Sequence, residues 1–163
     1  MSKGNSGLFV GTKGDKQANQ TSKPLLNKNL SKEQNELIQE VIDKGFKISP
    51  EKVLGIGKMA DGKIVWIEEG KLGERASGLA HIWEKRGSDF TARGISKEEI
   101  PEFIINAVTI GTKLGIQGNQ KAPRDVFEYN YKGARMLLAV SISSNGYIVG
   151  ANFTNESRIK KEK

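Results

Sequence analysis

The chain has 163 residues and a net charge of +7, from 26 lysines and arginines against 19 aspartates and glutamates. It contains no cysteine and a single histidine, which excludes zinc sites built from Cys and His clusters and excludes thiol catalysis. No run of about 18 apolar residues is present, so we expect no transmembrane helix. The polar first residues lack the apolar core of a signal peptide.

The first 30 residues differ in composition from the rest of the chain. They carry five lysines and one aspartate, hence +4 of the net charge, and they are rich in Gly, Asn, Gln and Ser. Such a segment cannot bury enough apolar surface to offset its ordering entropy. We therefore expect residues 1–30 to be a flexible basic lead-in, and residues 156–163 to be a basic, solvated C-terminal tail.

The first strong structural signal is the capping-box pattern Ser-Lys-Glu-Gln at residues 31–34. Apolar residues then recur at helical spacing between Leu37 and Ile42, and Gly45 supplies a stop. These features predict a helix over residues 31–44.

A hairpin is predicted next. Residues 53–56 and 64–67 are short apolar runs, and the Asp-Gly pair at 61–62 between them tolerates the positive φ that tight turns require. Residues 70–77 are predicted to form a loop, and the segment around His81 is predicted to form a short helix.

A further helix is predicted to begin at Ser96, which is followed by acidic residues in the first turn. Gly111 and Gly115 are expected to bracket its end. The predicted buried stripe consists of Ile100, Phe103, Ile104, Ala107 and Val108.

The last third of the chain is predicted to be mainly β-structure. Residues 116–124 are expected to form an exposed basic loop, and three strands follow at 125–131, 134–143 and 147–154. Because helices and strands are segregated along the chain, the predicted class is α+β. We expect N-terminal helices packed on a small twisted antiparallel sheet that ends in a three-stranded meander.

His81 is the leading candidate for chemistry. In a helix, Leu79, Ile82 and Trp83 form one apolar stripe, whereas His81 lies off that stripe on the same face as Lys85. We therefore expect the imidazole to point outward beside a cation, where it could exchange protons. The alternative, an ordinary surface or core histidine, stays open at this point.

Other side chains could contact an anionic partner. Asn152 and Thr154 share a face at the end of the last predicted strand, although a frayed polar strand end is the simpler interpretation. Tyr129 and Tyr131 could stack bases, or could be core residues with Phe127 on the same face. Four cations could meet phosphate, although each alone is typical of a solvated surface: Arg93, Lys113, Arg124 and Arg135.

Six segments carry a resemblance to known proteins: residues 48–53, 61–68, 78–82, 88–90, 95–101 and 145–152. Together they resemble the C-terminal nuclease toxins of contact-dependent growth inhibition systems, which are bacterial polymorphic toxins. The chain is similar to the superfamily that groups barnase, EndoU, the ribonuclease colicins and RelE-like ribonucleases. Related sequences often read Gly-Leu-x-His-Ile-x-x-Arg-His, where this chain has Lys85 and Arg86 in place of the final Arg-His pair.

The resemblance implies a division into a lead-in (1–30), the helical part of a delivery segment (31–47), a nuclease domain (48–155) and a basic tail (156–163). It implies a ribonuclease that needs no metal ion and no other cofactor, acting most often on tRNA. The ribose 2′-OH would attack its adjacent phosphate and leave a 2′,3′-cyclic phosphate and a 5′-OH. Such a toxin would be delivered as the C-terminal part of a larger secreted or cell-surface protein and would act in the target-cell cytoplasm. The implied partners are tRNA and a cognate immunity protein, with elongation factor Tu of the target cell as a candidate.

This reaction requires a base, an acid and donors that stabilise the charged phosphorane. The candidate catalytic residues are His81, Arg86, Lys113 and Thr154. The candidate RNA-binding residues are Lys85, Arg93, Arg124, Tyr129 and Asn152. No residue is assigned to a metal.

Two alternatives remain open from the sequence. The same fold could cleave rRNA or mRNA instead of tRNA. Alternatively, the domain could be a non-catalytic nucleic-acid-binding or adaptor module, since Arg86 stands where related sequences have a second histidine.

Overall fold

The computed structural model describes residues 25–118 and 121–160, and its fold is α+β, as the sequence predicts. The described residues form three α-helices: α1 (Lys32–Asp43), α2 (Gly78–Ala92) and α3 (Ile100–Thr109). They form six β-strands: β1 (Val53–Lys58), β2 (Ile64–Glu68), β3 (Thr112–Gln117), β4 (Arg124–Tyr131), β5 (Ala134–Ile142) and β6 (Ile148–Phe153).

Helix α1 begins and ends where the sequence predicts. The backbone N–H of Gln34 donates to the Ser31 hydroxyl at 3.1 Å, and the Gln34 side chain accepts from the Ser31 N–H at 3.0 Å, which completes the capping box. Gly45 follows the last turn with φ of 82°, a conformation that favours glycine. Ile38 and Val41 are buried against the β1–β2 hairpin.

The predicted hairpin is confirmed, with β1 two residues longer than expected. Its turn closes through hydrogen bonds from Met59 N–H to the Lys63 carbonyl and from Gly62 N–H to the Met59 carbonyl. Gly62 has φ of 94°, as the Asp-Gly signal requires. The buried indole of Trp66 on β2 packs in the cluster that α1 covers.

Helix α2 is longer than the predicted short helix, because its buried face continues to Phe90. Gly87 allows this continuation. A Cβ at that position would lie 2.9 Å from the Trp83 ring, so only glycine lets the indole lie along the helix.

The predicted buried stripe of α3 is confirmed, since all five of its residues are buried. A short 3-10 turn over Lys97–Glu99 precedes the helix, and the Glu99 carboxylate accepts a hydrogen bond from the Ser96 N–H at 2.9 Å. The expectation that Gly115 brackets the helix end is wrong. Helix α3 ends at Thr109, and Gly115 lies within β3.

The second sheet has four antiparallel strands in the order β3-β4-β5-β6. The structure therefore has one strand more than the three-stranded meander that the sequence predicts. The three predicted strands are confirmed, and β3 pairs with the outer edge of β4. The sequence of β3 does not reveal a strand because half of its six residues are polar and because Gly115 forms a register irregularity. Residues 116 and 117 therefore belong to this strand and not to the predicted exposed loop.

The two faces of this sheet differ in character. Phe127, Leu138 and Phe153 are cross-strand neighbours in the apolar cluster that α2 and α3 cover. Side chains alternate across each strand, so Arg124 and Asn152 lie on the opposite face. We call this the Arg124 face.

Hydrogen bonds hold both ends of the described chain. Asn27, within the predicted lead-in, is 5% exposed, and its amide donates to two backbone carbonyls just before and at the start of β1. Ile116 and Lys160 exchange two backbone hydrogen bonds, which ties the predicted tail to the edge of β3. The rest of the lead-in, residues 1–24, and residues 161–163 lie outside the described residues.

Among the described helices, none is long and apolar enough to cross a membrane.

Candidate active site

The candidate site is built around a glycine in the interior of an edge strand. Gly150 on β6 is buried, and a Cβ placed there would lie 3.5 Å from Cδ2 of His81 and 3.6 and 3.8 Å from the two Nη atoms of Arg124. An imidazole and a guanidinium therefore meet over one strand position that has no side chain. We call His81, Arg124, Asn152 and Gly150 the Gly150 shelf.

His81 reaches the shelf from the start of α2. The approach of the chain to this helix requires glycine, because a Cβ at Gly70 would lie 1.8 Å from the Ser77 carbonyl oxygen. Gly78 has φ of 71°, and the Ser77 hydroxyl shares a hydrogen bond of 3.0 Å with the Tyr147 hydroxyl just before β6. These contacts fix the first turn of α2 against the strand that carries Gly150.

The predicted outward orientation of His81 is wrong in one respect. The side chain is half-buried, and its Nδ1 is buried with no hydrogen-bond partner. The helical spacing correctly separates His81 from the apolar stripe, but this side of the helix lies over β6 and not over solvent. Only Nε2 is left to meet a ligand.

Arg124 is the central cation of the shelf. From the first position of β4 it crosses β5, and its Nη1 donates to Oδ1 of Asn152 at 2.7 Å. Asn152 is 9% exposed, and its Nδ2 donates to the Phe153 carbonyl at 3.1 Å, so the amide is held in one orientation.

The electrostatics of Arg124 are those of a cation without a counter-ion. Burial, and secondarily the positive charge of Arg86, lower the pKa of the Arg124 guanidinium from its ordinary value. Within the described ranges, no carboxylate forms an ion pair with it. Two cations with no acid between them favour an anion at this place, because an anion would offset both the desolvation and the mutual repulsion.

A groove of about 440 Å³ extends from the shelf along the end of β6. Its charged lining consists of three arginines and one aspartate, Asp89. The lining residues are Arg86, Asp89, Arg93, Asn152, Phe153, Thr154, Asn155 and Arg158. We call it the Arg93 groove.

Thr154 lines this groove, but its hydroxyl is already engaged. Its Oγ1 donates to the Gln117 side-chain oxygen on β3. Thr154 can accept a hydrogen bond in this arrangement, and it can donate to a ligand only if it releases Gln117.

Lys113 and Tyr129 are not brought to the shelf. Lys113 lies beside Phe127 in register and pairs with Asp125 at 3.4 Å, which places it on the helix-covered face. The Tyr129 ring packs at 67° and 5.7 Å from the Phe103 ring, which fits the alternative that this strand face is core. Arg135 lies on the Arg124 face, where two glutamates bind it.

The remaining predicted residues divide between the groove and the solvent. Arg86 and Arg93 line the Arg93 groove, whereas Lys85 is an exposed side chain on α2. The sequence does not predict the other residues of the shelf and groove: Asp89, Gln117, Gly150, Phe153, Asn155 and Arg158. The usable signal was Gly150, since glycine within a strand often marks a close approach of another group.

The comparisons with known proteins identify no relative. The chain matches no model of a known protein family, and no curated protein matches its sequence. Among the described residues, no group of three or more His, Asp or Glu side chains is arranged to hold a metal ion.

Proposed function

We propose that this chain is an RNA endonuclease that works without a metal ion and cuts at the Gly150 shelf, with tRNA as the principal substrate. One observation carries the proposal: His81 and the uncompensated cation Arg124 meet over a strand position that has no side chain. A phosphodiester is the common biological anion that needs both a cationic cradle and a proton carrier to react.

Each residue has a distinct role in the proposed reaction. Arg124 and Arg86 bind the non-bridging oxygens of the scissile phosphate and stabilise the negative charge of the phosphorane. Nε2 of His81 takes the proton of the attacking 2′-OH or gives one to the departing 5′-oxygen, and solvent water carries the other proton. Asn152 keeps the guanidinium of Arg124 in place. The products are a 2′,3′-cyclic phosphate and a 5′-OH.

In the cell this activity would make the chain a growth-inhibiting toxin. We propose that it is delivered as the C-terminal part of a larger secreted or surface protein and acts in the cytoplasm of a neighbouring bacterium. A cognate immunity protein would protect the producer, and elongation factor Tu of the target cell is a candidate partner for presenting tRNA. The mild excess of positive charge in the Arg93 groove supports an anionic substrate.

The decisive experiment incubates purified protein with total tRNA in EDTA. We expect cleavage with 5′-OH and 2′,3′-cyclic ends, and we expect His81→Ala to reduce the rate by about 10²- to 10⁴-fold, the usual contribution of one proton-transfer group. Lys44→Ala, at an exposed lysine just after α1, is the matched control and should cleave like the wild type. A folded His81→Ala protein with full activity would overturn the assignment.

The substrate is tested separately. Mapping new 5′-OH ends in intoxicated cells distinguishes tRNA from rRNA and mRNA. Ends confined to rRNA or mRNA would keep the reaction and replace the substrate.

One observation favours a second candidate, a module that binds RNA without cutting it. Proton transfer at Nε2 requires Nδ1 to carry a proton both before and after Nε2 gains one, and the buried Nδ1 has no hydrogen-bond partner. An unpaired buried donor costs about 1–3 kcal/mol. Binding of tRNA in EDTA without any cleavage, by a protein whose fold is intact, would favour this candidate.

A further inference from the structure

We infer that the Arg93 groove is a subsite for an unpaired nucleobase, which stacks on the guanidinium of Arg93 next to the scissile phosphate. The inference rests on the proposed function, because it assigns the nucleotide that adjoins the Gly150 shelf. It makes the substrate a single-stranded segment, since a base held in a duplex cannot present its face to a side chain.

The geometry of Arg93 carries the inference. The guanidinium carbon lies 3.9 Å from the centre of the Phe153 ring, so the ring supports one face of the guanidinium plane. Its Nη1 donates to the Asp89 carbonyl at 2.9 Å, which commits one edge. Arg93 is exposed and lines the groove, so we take the face away from Phe153 as the one that a ligand can reach. One face of the guanidinium packs on a ring and one edge already donates a hydrogen bond. The group is therefore better suited to stack on a flat ring than to bind a phosphate through two parallel hydrogen bonds.

The rest of the groove fits a base with its phosphate. Asn155 and Thr154 supply polar groups to the groove, and Arg158 supplies a further cation besides Arg86 and Arg93. The volume of about 440 Å³ lies within the range of small-ligand sites.

Arg86 connects the two sites. It raises the positive potential at Arg124 and also lines the Arg93 groove. An RNA strand whose phosphate binds at the Gly150 shelf can therefore place its adjacent base against Arg93 while it stays close to positively charged side chains.

The test uses short single-stranded RNAs in which the 2′-OH groups are methylated, so that binding is measured without cleavage. Each RNA carries one abasic nucleotide at a different position, and fluorescence anisotropy gives its affinity. For the wild type we expect one position to lose about 5- to 150-fold in affinity, the value of one stacked base. Arg93→Lys keeps the charge and removes the plane, so for this variant the same abasic RNA should bind as well as the intact one. Arg75→Lys, in an exposed loop, is the matched control and should keep the full loss.

The outcomes separate the two proposals. If the wild type neither binds nor cleaves RNA, the proposed function fails. If His81-dependent cleavage occurs but no abasic position distinguishes the wild type from Arg93→Lys, the stacking subsite is wrong and the proposed function stands. An equal loss for both proteins would also overturn the subsite, because the base would then be held by other residues.

Discussion

Two arginines on the same face of the sheet have opposite environments. Arg135 on β5 donates to the carboxylates of Glu128 and Glu156, and these hydrogen bonds raise its pKa above the ordinary value. Arg124 on β4 has an amide partner and a neighbouring cation, and burial lowers its pKa.

The difference separates a structural cation from a functional one. The acids around Arg135 tie the turn after β6 to the sheet and neutralise the charge locally. At the Gly150 shelf the corresponding neutralisation is missing, which costs stability without any gain in the free protein. A cation that is left without a counter-ion at a cost in stability is typical of a ligand-binding site, because the ligand supplies the missing negative charge.

The test with the largest expected effect replaces each of the two arginines with alanine, in two separate variants. Arg124→Ala should reduce the cleavage rate by about 10²- to 10³-fold, as for the loss of one phosphorane donor. Its free energy of unfolding should stay close to that of the wild type, because loss of the desolvated charge and of its repulsion from Arg86 offsets loss of the hydrogen bond to Asn152. Arg135→Ala should retain the rate and lose a little stability. Single-turnover kinetics and denaturant unfolding of both variants measure this, and a rate loss at Arg135 that matches the loss at Arg124 would break the comparison.

The second test asks whether Arg124 needs the space over Gly150. Gly150→Val should displace His81 and Arg124 by of order 1 Å, and such a displacement costs about 10²-fold in rate. Gly57→Ala is the matched substitution under α3, where a Cβ would lie 2.9 Å from Thr109 and 3.0 Å from Ile105. It should lower the free energy of unfolding by about 1–3 kcal/mol and leave the rate per folded molecule unchanged. A Gly150→Val enzyme with normal kinetics would show that the shelf is not where the reaction occurs.

A third test concerns Arg86, which has no acid partner in the described ranges. Arg86→Ala should weaken RNA binding and reduce the slope of log affinity against log salt by about 1, the effect of losing one phosphate contact. Lys97→Ala, on the turn before α3, should leave the slope unchanged. The measurement is anisotropy at several salt concentrations. An unchanged slope for Arg86→Ala would mean that Arg124 alone binds the phosphate.

The smallest effect is expected at Tyr147, whose hydroxyl holds the first turn of α2. Burial raises the pKa of Tyr147, so the folded state keeps its proton more strongly than the unfolded state. This contribution to stability is present below the unfolded pKa of about 10 and is lost as the pH rises through the folded value. Tyr147→Phe should be less stable than the wild type by about 1 kcal/mol at neutral pH, because the hydrogen bond to Ser77 is gone. The difference should narrow above pH 10, and urea unfolding at both pH values measures it; a constant difference would contradict the assignment.

Local signals in the sequence account for most of the secondary structure. The capping box at Ser31, the Asp-Gly turn before β2 and the buried stripe of α3 each depend on contacts within a few residues, and all three are confirmed. Strand β3 could not be predicted in this way. Its polar residues are held by pairing with β4, and pairing is decided by the partner strand and not by local propensity.

The candidate site was predictable only in part. Helical spacing separated His81 from the apolar stripe, and strand alternation placed Asn152 on one face. Neither pattern shows which group faces which across the sheet. Lys113 and Arg124 are both cations near strand ends, yet the register places Lys113 on the helix-covered side and Arg124 on the shelf.

The sequence by itself determined the α+β class, the confirmed helix and strand positions and the single imidazole available for proton transfer, since these follow from composition and from interactions between near neighbours. Only the tertiary structure decided which cation meets that imidazole. The choice depends on the register of β4, β5 and β6 and on the absence of a side chain at Gly150, where α2 crosses the edge of the sheet. Contacts between residues about 30 to 70 positions apart are set by packing of whole elements, so no local pattern records them.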